Sequence, residues 1–114
     1  MHETSIALNI LSIAEEYCRK AGFNRIKSIG VRVGSASSVL PEALSLAFDV
    51  IKIGTIAGEA SLVIDEVPLG GTCRDCNSDF TVGESYVLAC PNCGSADFSI
   101  NSGRELDITE IEVA

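Results

Sequence analysis

Two Cys-x-x-Cys pairs, Cys73-Arg74-Asp75-Cys76 and Cys90-Pro91-Asn92-Cys93, constrain this chain more than any other feature. They lie in a stretch, residues 69–103, that carries Gly70-Gly71, Pro91, Gly94 and Gly103 but too few large apolar side chains to build a core. Only a cross-link can order such a segment. Thirteen residues separate the pairs, and each pair can present both sulfurs to one tetrahedral ion. The total of five cysteines is odd, and the start Met1-His2-Glu3-Thr4 lacks the basic stretch of a signal peptide. Both points favour metal thiolates in a reducing cytoplasm over disulfides in a secreted protein. Four thiolates around Zn²⁺ leave a local charge of about −2 and no open coordination position, so the expected site is a structural, zinc-ribbon-like staple and not a catalytic zinc. A rubredoxin-like iron centre uses similar knuckles, but its shell is usually more aromatic than Phe80, Tyr86 and Phe98. The stretch from Phe80 to Leu88 is expected to form a short hairpin that brings the knuckles together.

Outside this segment the pattern is that of an α+β domain. Ile6, Ile10, Ile13, Ala14 and Tyr17 recur at the spacing of one helix face, predicting a helix over 4–21 that ends at Gly22. Ile29, Val31 and Val33 alternate with Gly30 and Arg32, the period of a half-buried strand ending near Gly34. After the loop Ser35 to Ser38, Pro41 and Glu42 suit a helix start, and Leu44, Ala47, Phe48 and Ile51 carry the helix over about 41–53. Ala60 to Val67 reads as a second strand and Glu105 to Val113 as a third. The third has a change of phase near Thr109-Glu110 that suggests a bulge. No internal repeat is evident. The expected fold is a small three-stranded sheet with two helices, formed by residues 1–68 and 104–114, with residues 69–103 inserted as the metal module. Pro68 to Thr72 and Asn101 to Gly103 are the expected hinges. Cys18, beside Leu11 and Ala14, reads as a small core residue and not as a ligand.

Charge narrows the partners. Residues 1–60 balance six Lys/Arg against six acids, whereas residues 61–114 hold only Arg74 and Arg104 against ten acids. That half would repel a phosphate backbone, so nucleic acid is a poor partner. No apolar run is long enough to cross a bilayer. An enzyme is disfavoured too: there is one histidine, no Ser/His/Asp set and no phosphate-cradling glycine loop, and Glu15-Glu16 and Asp65-Glu66 read as solvated faces.

That one histidine, His2, sits beside the α-amine of Met1. The amine, the ionisable backbone amide of residue 2 and the imidazole can close adjoining chelate rings on one ion. Such a nitrogen-rich set suits Ni²⁺ or Cu²⁺ better than Zn²⁺. Taken alone, a terminal histidine is most often merely solvated, and Glu3 equally suits the positive end of a helix.

The start Met1-His2-Glu3, the strand ending at Gly34, Pro41-Glu42-Ala43-Leu44, the paired knuckles and Ser102-Gly103-Arg104-Glu105-Leu106 together resemble the HypA/HybF family of nickel-insertion accessory proteins of nickel-iron hydrogenase maturation. The resemblance spans essentially the whole chain. It implies an α/β nickel-binding domain with Met1, His2 and Glu3 at the nickel site, and Cys73, Cys76, Cys90 and Cys93 on structural zinc. It further implies a metallochaperone, not an enzyme, that works with a nickel-handling GTPase and docks on the hydrogenase large-subunit precursor. Some relatives also serve urease. Where the family commonly has an acidic residue after the strand-ending glycine, this chain has Ser35, so no further nickel ligand is assigned. The competing reading is a zinc-ribbon protein-interaction adaptor with no nickel site of its own. Self-association, as a homodimer or by exchange through the hinges, stays open at this point.

Overall fold

The structure, a computed structural model, describes residues 2–114. The chain runs α1 (His2–Lys20), β1 (Ile26–Gly34), α2 (Pro41–Ile51), β2 (Ser61–Val67), β3 (Leu69–Cys73), β4 (Asp79–Val82), β5 (Phe98–Ser102) and β6 (Leu106–Val113). Two three-stranded sheets result, of order β2-β1-β6 and β4-β3-β5, so the fold is mixed α+β as expected. The chain divides into two compact units, one of Met1–Arg32, Val39–Asp65 and Asp107–Ala114, the other of Val33–Ser38 and Glu66–Leu106. Among the described residues, no helix is long and apolar enough to cross a membrane.

In the first unit α1 begins at His2, two residues earlier than the apolar period suggests. Its ion pairs Glu15–Arg19 and Glu16–Lys20 are spaced for one face, and Glu3 lies in its first turn. It ends in a Schellman motif. The N–H of Phe23 donates to the Cys18 carbonyl and that of Gly22 to Arg19, with Gly22 at φ +86°. The buried stripe is Ala7, Ile10, Leu11, Ala14 and Cys18, not the expected Ile6 to Tyr17 face. Ile13 and Tyr17 are 51% and 67% exposed. Three of the five buried positions are Ala or Cys, small enough to let α1 lie close against α2. Cys18 is fully buried, as a core residue, with its thiol 3.6 Å from the Arg25 carbonyl.

Pro41 sits at the start of α2, where a missing N–H costs nothing, and Leu44 and Phe48 are its fully buried anchors. Beneath the helices, Ile29 and Val31 of β1 are buried. Along β6 the partly buried residues are Ile108, Ile111 and Val113, so the phase slips at Thr109-Glu110 as the sequence suggests. Gly30 of β1 lies against that point. A Cβ there would stand 2.9 Å from the Glu110 Cγ and 3.0 Å from the Thr109 Oγ1.

The second unit departs further from expectation. No hairpin spans Phe80 to Leu88. Instead β3 and β4 pair antiparallel around the first knuckle, with Leu69 opposite Val82 and Thr72 opposite Asp79, so the knuckle itself is the hairpin loop. Asn101 and Ser102, expected in a hinge, belong to β5, which pairs with β3 on its other edge. The unit's small core consists of Cys73, Phe80 and Cys90, with Cys76, Val82, Val87 and Phe98 packed against it. Phe80 and Phe98 meet edge to face, 5.7 Å between centroids.

Candidate metal centre

The two knuckles are built alike. The Cys73 N–H donates to the Ser78 carbonyl at 2.9 Å and the Cys90 N–H to the Ser95 carbonyl at 2.7 Å. The residue after each second cysteine, Asn77 at φ +58° and Gly94 at φ +80°, takes the left-handed conformation that closes the turn. The Asn92 N–H points at the Cys90 sulfur, 3.4 Å away. These turns bring Cys73, Cys76, Cys90 and Cys93 together with all four sulfurs within 4.8 Å of one another. Across the knuckles, Cys73 and Cys93 sulfurs are 3.6 Å apart, and those of Cys76 and Cys90 3.7 Å. Zn–S bonds of about 2.3 Å in a tetrahedron require sulfurs roughly 3.8 Å apart. The donor set and its spacing therefore fit zinc, with four sulfurs filling every position of the tetrahedron. Disulfides, at about 2.05 Å, do not fit these separations.

Polar cross-links hold this arrangement from outside. Arg74 pairs with Asp97 at 2.7 Å, and Ser95 Oγ donates to the Asp75 carboxylate. Asn92 Nδ2 donates to Ser78 Oγ at 3.1 Å and lies 3.5 Å from the Cys76 sulfur. Considered as four sulfurs alone, the cluster is unevenly tuned. The Asn92 amide, followed by the hydroxyl and N–H of Ser78, draws the Cys76 thiol down to about 6. Cys93 keeps the lowering N–H of Ser95, yet the neighbouring Cys73 sulfur and loss of hydration hold it up to about 12. Asp75, Ser78, Asn92 and Ser95 were not singled out from the sequence. The signal for them is Cys-x-Asx-Cys-x-Ser, present in both knuckles.

The nickel residues inferred from the sequence lie elsewhere. Met1 is outside the described residues. His2 is exposed at the first position of α1, and the Glu3 carboxylate faces the start of α2, where it accepts the Leu40 N–H at 3.5 Å. Among the described residues, the four cysteines are the one cluster of potential metal ligands.

Fold and site define an α+β protein with one unit built around a closed four-sulfur metal centre. The sequence matches, over residues 1–113, the family described as "Hydrogenase/urease nickel incorporation, metallochaperone, hypA". Proteins named hydrogenase maturation factor HypA are 41% identical in Chlorobium luteolum, over 97% of this chain and 94% of that protein, and 41% identical in Acidithiobacillus ferrooxidans, over 99% of each. The chain belongs to the HypA family of nickel metallochaperones of hydrogenase maturation, which are maturation factors and not enzymes. The fold agrees. The solution structure of the Ni metallochaperone HypA from Helicobacter pylori superposes with TM-score 0.66 at 22% identity, over 97% of this chain and 96% of that one. A second HypA solution structure gives 0.71 at 24%, over 100% and 97%.

Proposed function

We propose that this chain carries Ni²⁺ at Met1, His2 and Glu3 and delivers it, in the cytoplasm, to the hydrogenase large-subunit precursor in concert with a nickel-handling GTPase. One observation carries the reading: in a nickel-metallochaperone family, the clustered metal site of this chain is saturated by its own four sulfurs. Cargo must then bind elsewhere, and His2 is the only imidazole in the sequence. Residues 1–68 and 104–114 would form the nickel-binding domain and residues 69–103 the zinc module.

The local geometry supports that assignment. The first N–H groups of a helix have no intrahelical acceptor, so the amides of His2 and Glu3 at the head of α1 are free to lose their protons to a nickel chelate. The anionic nitrogens so formed would also offset the unfavourable field of the helix N-terminus on a cation. Glu3, with its carboxylate drawn to the Leu40 N–H, would serve chiefly through its backbone and by fixing the direction in which the chelate leaves the helix.

The test is a calorimetric nickel titration of untagged, zinc-loaded protein beside His2→Ala. About one Ni²⁺ bound by the wild type, with loss of binding in the variant and zinc kept in both, is the expected result. Equal binding by both proteins, or by neither, would refute the N-terminal site and make the zinc-ribbon adaptor the leading account.

A further inference from the structure

The knuckles match in sequence pattern and in turn hydrogen bonds, and one residue difference separates them. Each carries Cys-x-Asx-Cys-x-Ser, and in each the Asx side chain reaches across to the serine of the other knuckle: Asn92 to Ser78, Asp75 to Ser95. The chemistry of the two crossings is opposite. Asn92 is a donor. It gives an amide hydrogen to Ser78 Oγ, so the serine's own proton is not taken by it, and the same amide nitrogen lies 3.5 Å from the Cys76 sulfur. Asp75 is an acceptor. It takes the Ser95 hydroxyl proton, while the Asp97 N–H donates to Ser95 Oγ at 3.0 Å, so that hydroxyl has nothing left to offer Cys93.

Cys76 therefore receives the Asn92 side-chain amide, whereas among the described residues no side chain from outside the cluster donates to Cys93, whose matching serine is committed to Asp75. Donors to a metal-bound thiolate take up part of its negative charge and lower its reactivity. Exposure runs the same way: Cys73 and Cys90 are buried, Cys76 is half-buried and Cys93 is exposed.

From this we infer that the zinc centre opens at Cys93. Its thiolate is the first to leave the metal and the first to meet an incoming electrophile or a second soft cation, while Cys73, Cys76 and Cys90 keep hold of the zinc. The one-sided latch is set by Asp75, which acts through Ser95 and touches no metal ligand. The inference rests on the zinc reading of the cluster.

The experiment uses the full chain, with zinc content measured first. Zinc-loaded protein is treated with limiting N-ethylmaleimide, whose double-bond carbon bonds to the thiolate sulfur while water protonates the other carbon. The modified cysteine is read by peptide mass spectrometry. Zinc transfer to a chromogenic chelator is followed in parallel. The wild type is expected to carry the first label at Cys93. Asp75→Asn leaves exposure unchanged and supplies the missing donor, so labelling at Cys93 and zinc transfer should both slow about tenfold. Asn92→Asp should instead bring Cys76 into the early-labelled set. A protein that holds no zinc overturns the zinc reading and this inference with it. Bound zinc with first labelling at Cys73, Cys76 or Cys90, or Asp75→Asn labelled at the wild-type rate, overturns this inference alone.

Discussion

Gly34→Ala should be one of the most damaging single-methyl changes available in the second unit. A Cβ at Gly34 would stand 2.1 Å from the Gly103 carbonyl oxygen, 2.2 Å from its carbon and 2.6 Å from the Arg104 nitrogen. All three are backbone atoms, so no rotamer change relieves the clash, and the two segments must part by roughly 1 Å to reach ordinary contact. Parting them stretches the hydrogen bonds from Gly34 N–H to the Glu105 carbonyl, 2.8 Å, and from Ala36 N–H to the Gly103 carbonyl, 2.7 Å. At about 1 kcal/mol net for each bond and roughly 1–3 kcal/mol for overpacking, the loss comes to about 3–5 kcal/mol. That is a large share of the roughly 5–15 kcal/mol that holds a typical domain. Urea unfolding of the zinc-loaded protein, followed by circular dichroism, reads the change as a midpoint lowered by about 2 M. Gly22→Ala is the control. It also adds one methyl, in a left-handed position at φ +86°, but nothing lies within 4 Å of the new Cβ, so only about 1 kcal/mol of backbone strain is expected. A Gly34→Ala loss no larger than that of Gly22→Ala would show that the close approach of residues 34 and 103 does not exist in solution.

Other outcomes follow from the same geometry. Phe48→Ala removes a fully buried ring from the core of the first unit and should cost about 3–5 kcal/mol in the same assay; a loss under about 1 kcal/mol would mean that α2 is not anchored there. Lys52 Nζ donates to the Ala60 carbonyl at 2.8 Å and lies 5.7 Å from the Phe48 ring centroid, so Lys52→Met should lose about 1–2 kcal/mol. Asp49→Asn, which removes only the exposed partner of the Lys52–Asp49 pair, should lose less than about 0.5 kcal/mol, and equal losses would refute the distinction. Chelation of zinc should collapse the amide NMR dispersion of β3, β4 and β5 while α1 and α2 keep theirs, with zinc restoring the spectrum; retained dispersion in the module would show that its packing suffices without metal.

The first unit was largely legible because its elements follow local rules. Pro41 opens α2 and Gly22 closes α1, and the break in the apolar period at Thr109-Glu110 marks the slip along β6. The misjudged face of α1 has a physical cause. Apolar periodicity favours large side chains, and Ile13 and Tyr17 are large, but close helix packing selects Ala7, Ala14 and Cys18. In the second unit, β5 could not be seen locally. Phe98 to Ser102 becomes a strand because β3 lies alongside it, with Gly71 pressed against the Ser99 carbonyl at 2.3 Å from its would-be Cβ.

The knuckles show how a position legible in one respect can stay hidden in another. Cysteine spacing alone specifies which sulfurs meet, since any Cys-x-x-Cys turn presents its pair to one ion. It is silent on how firmly each sulfur is held, because that depends on whether the neighbouring hydroxyl proton points toward the sulfur or away. Ser78 and Ser95 are the same residue at the same place in two matching turns, yet Ser78 accepts from an amide while Ser95 donates to a carboxylate. A single-atom difference between Asn92 and Asp75, one residue from a ligand in each knuckle, thus separates a sulfur that receives an outside side-chain donor from a sulfur that receives none. How firmly each ligand is held is therefore set by residues that touch no metal, a feature that ligand spacing cannot encode.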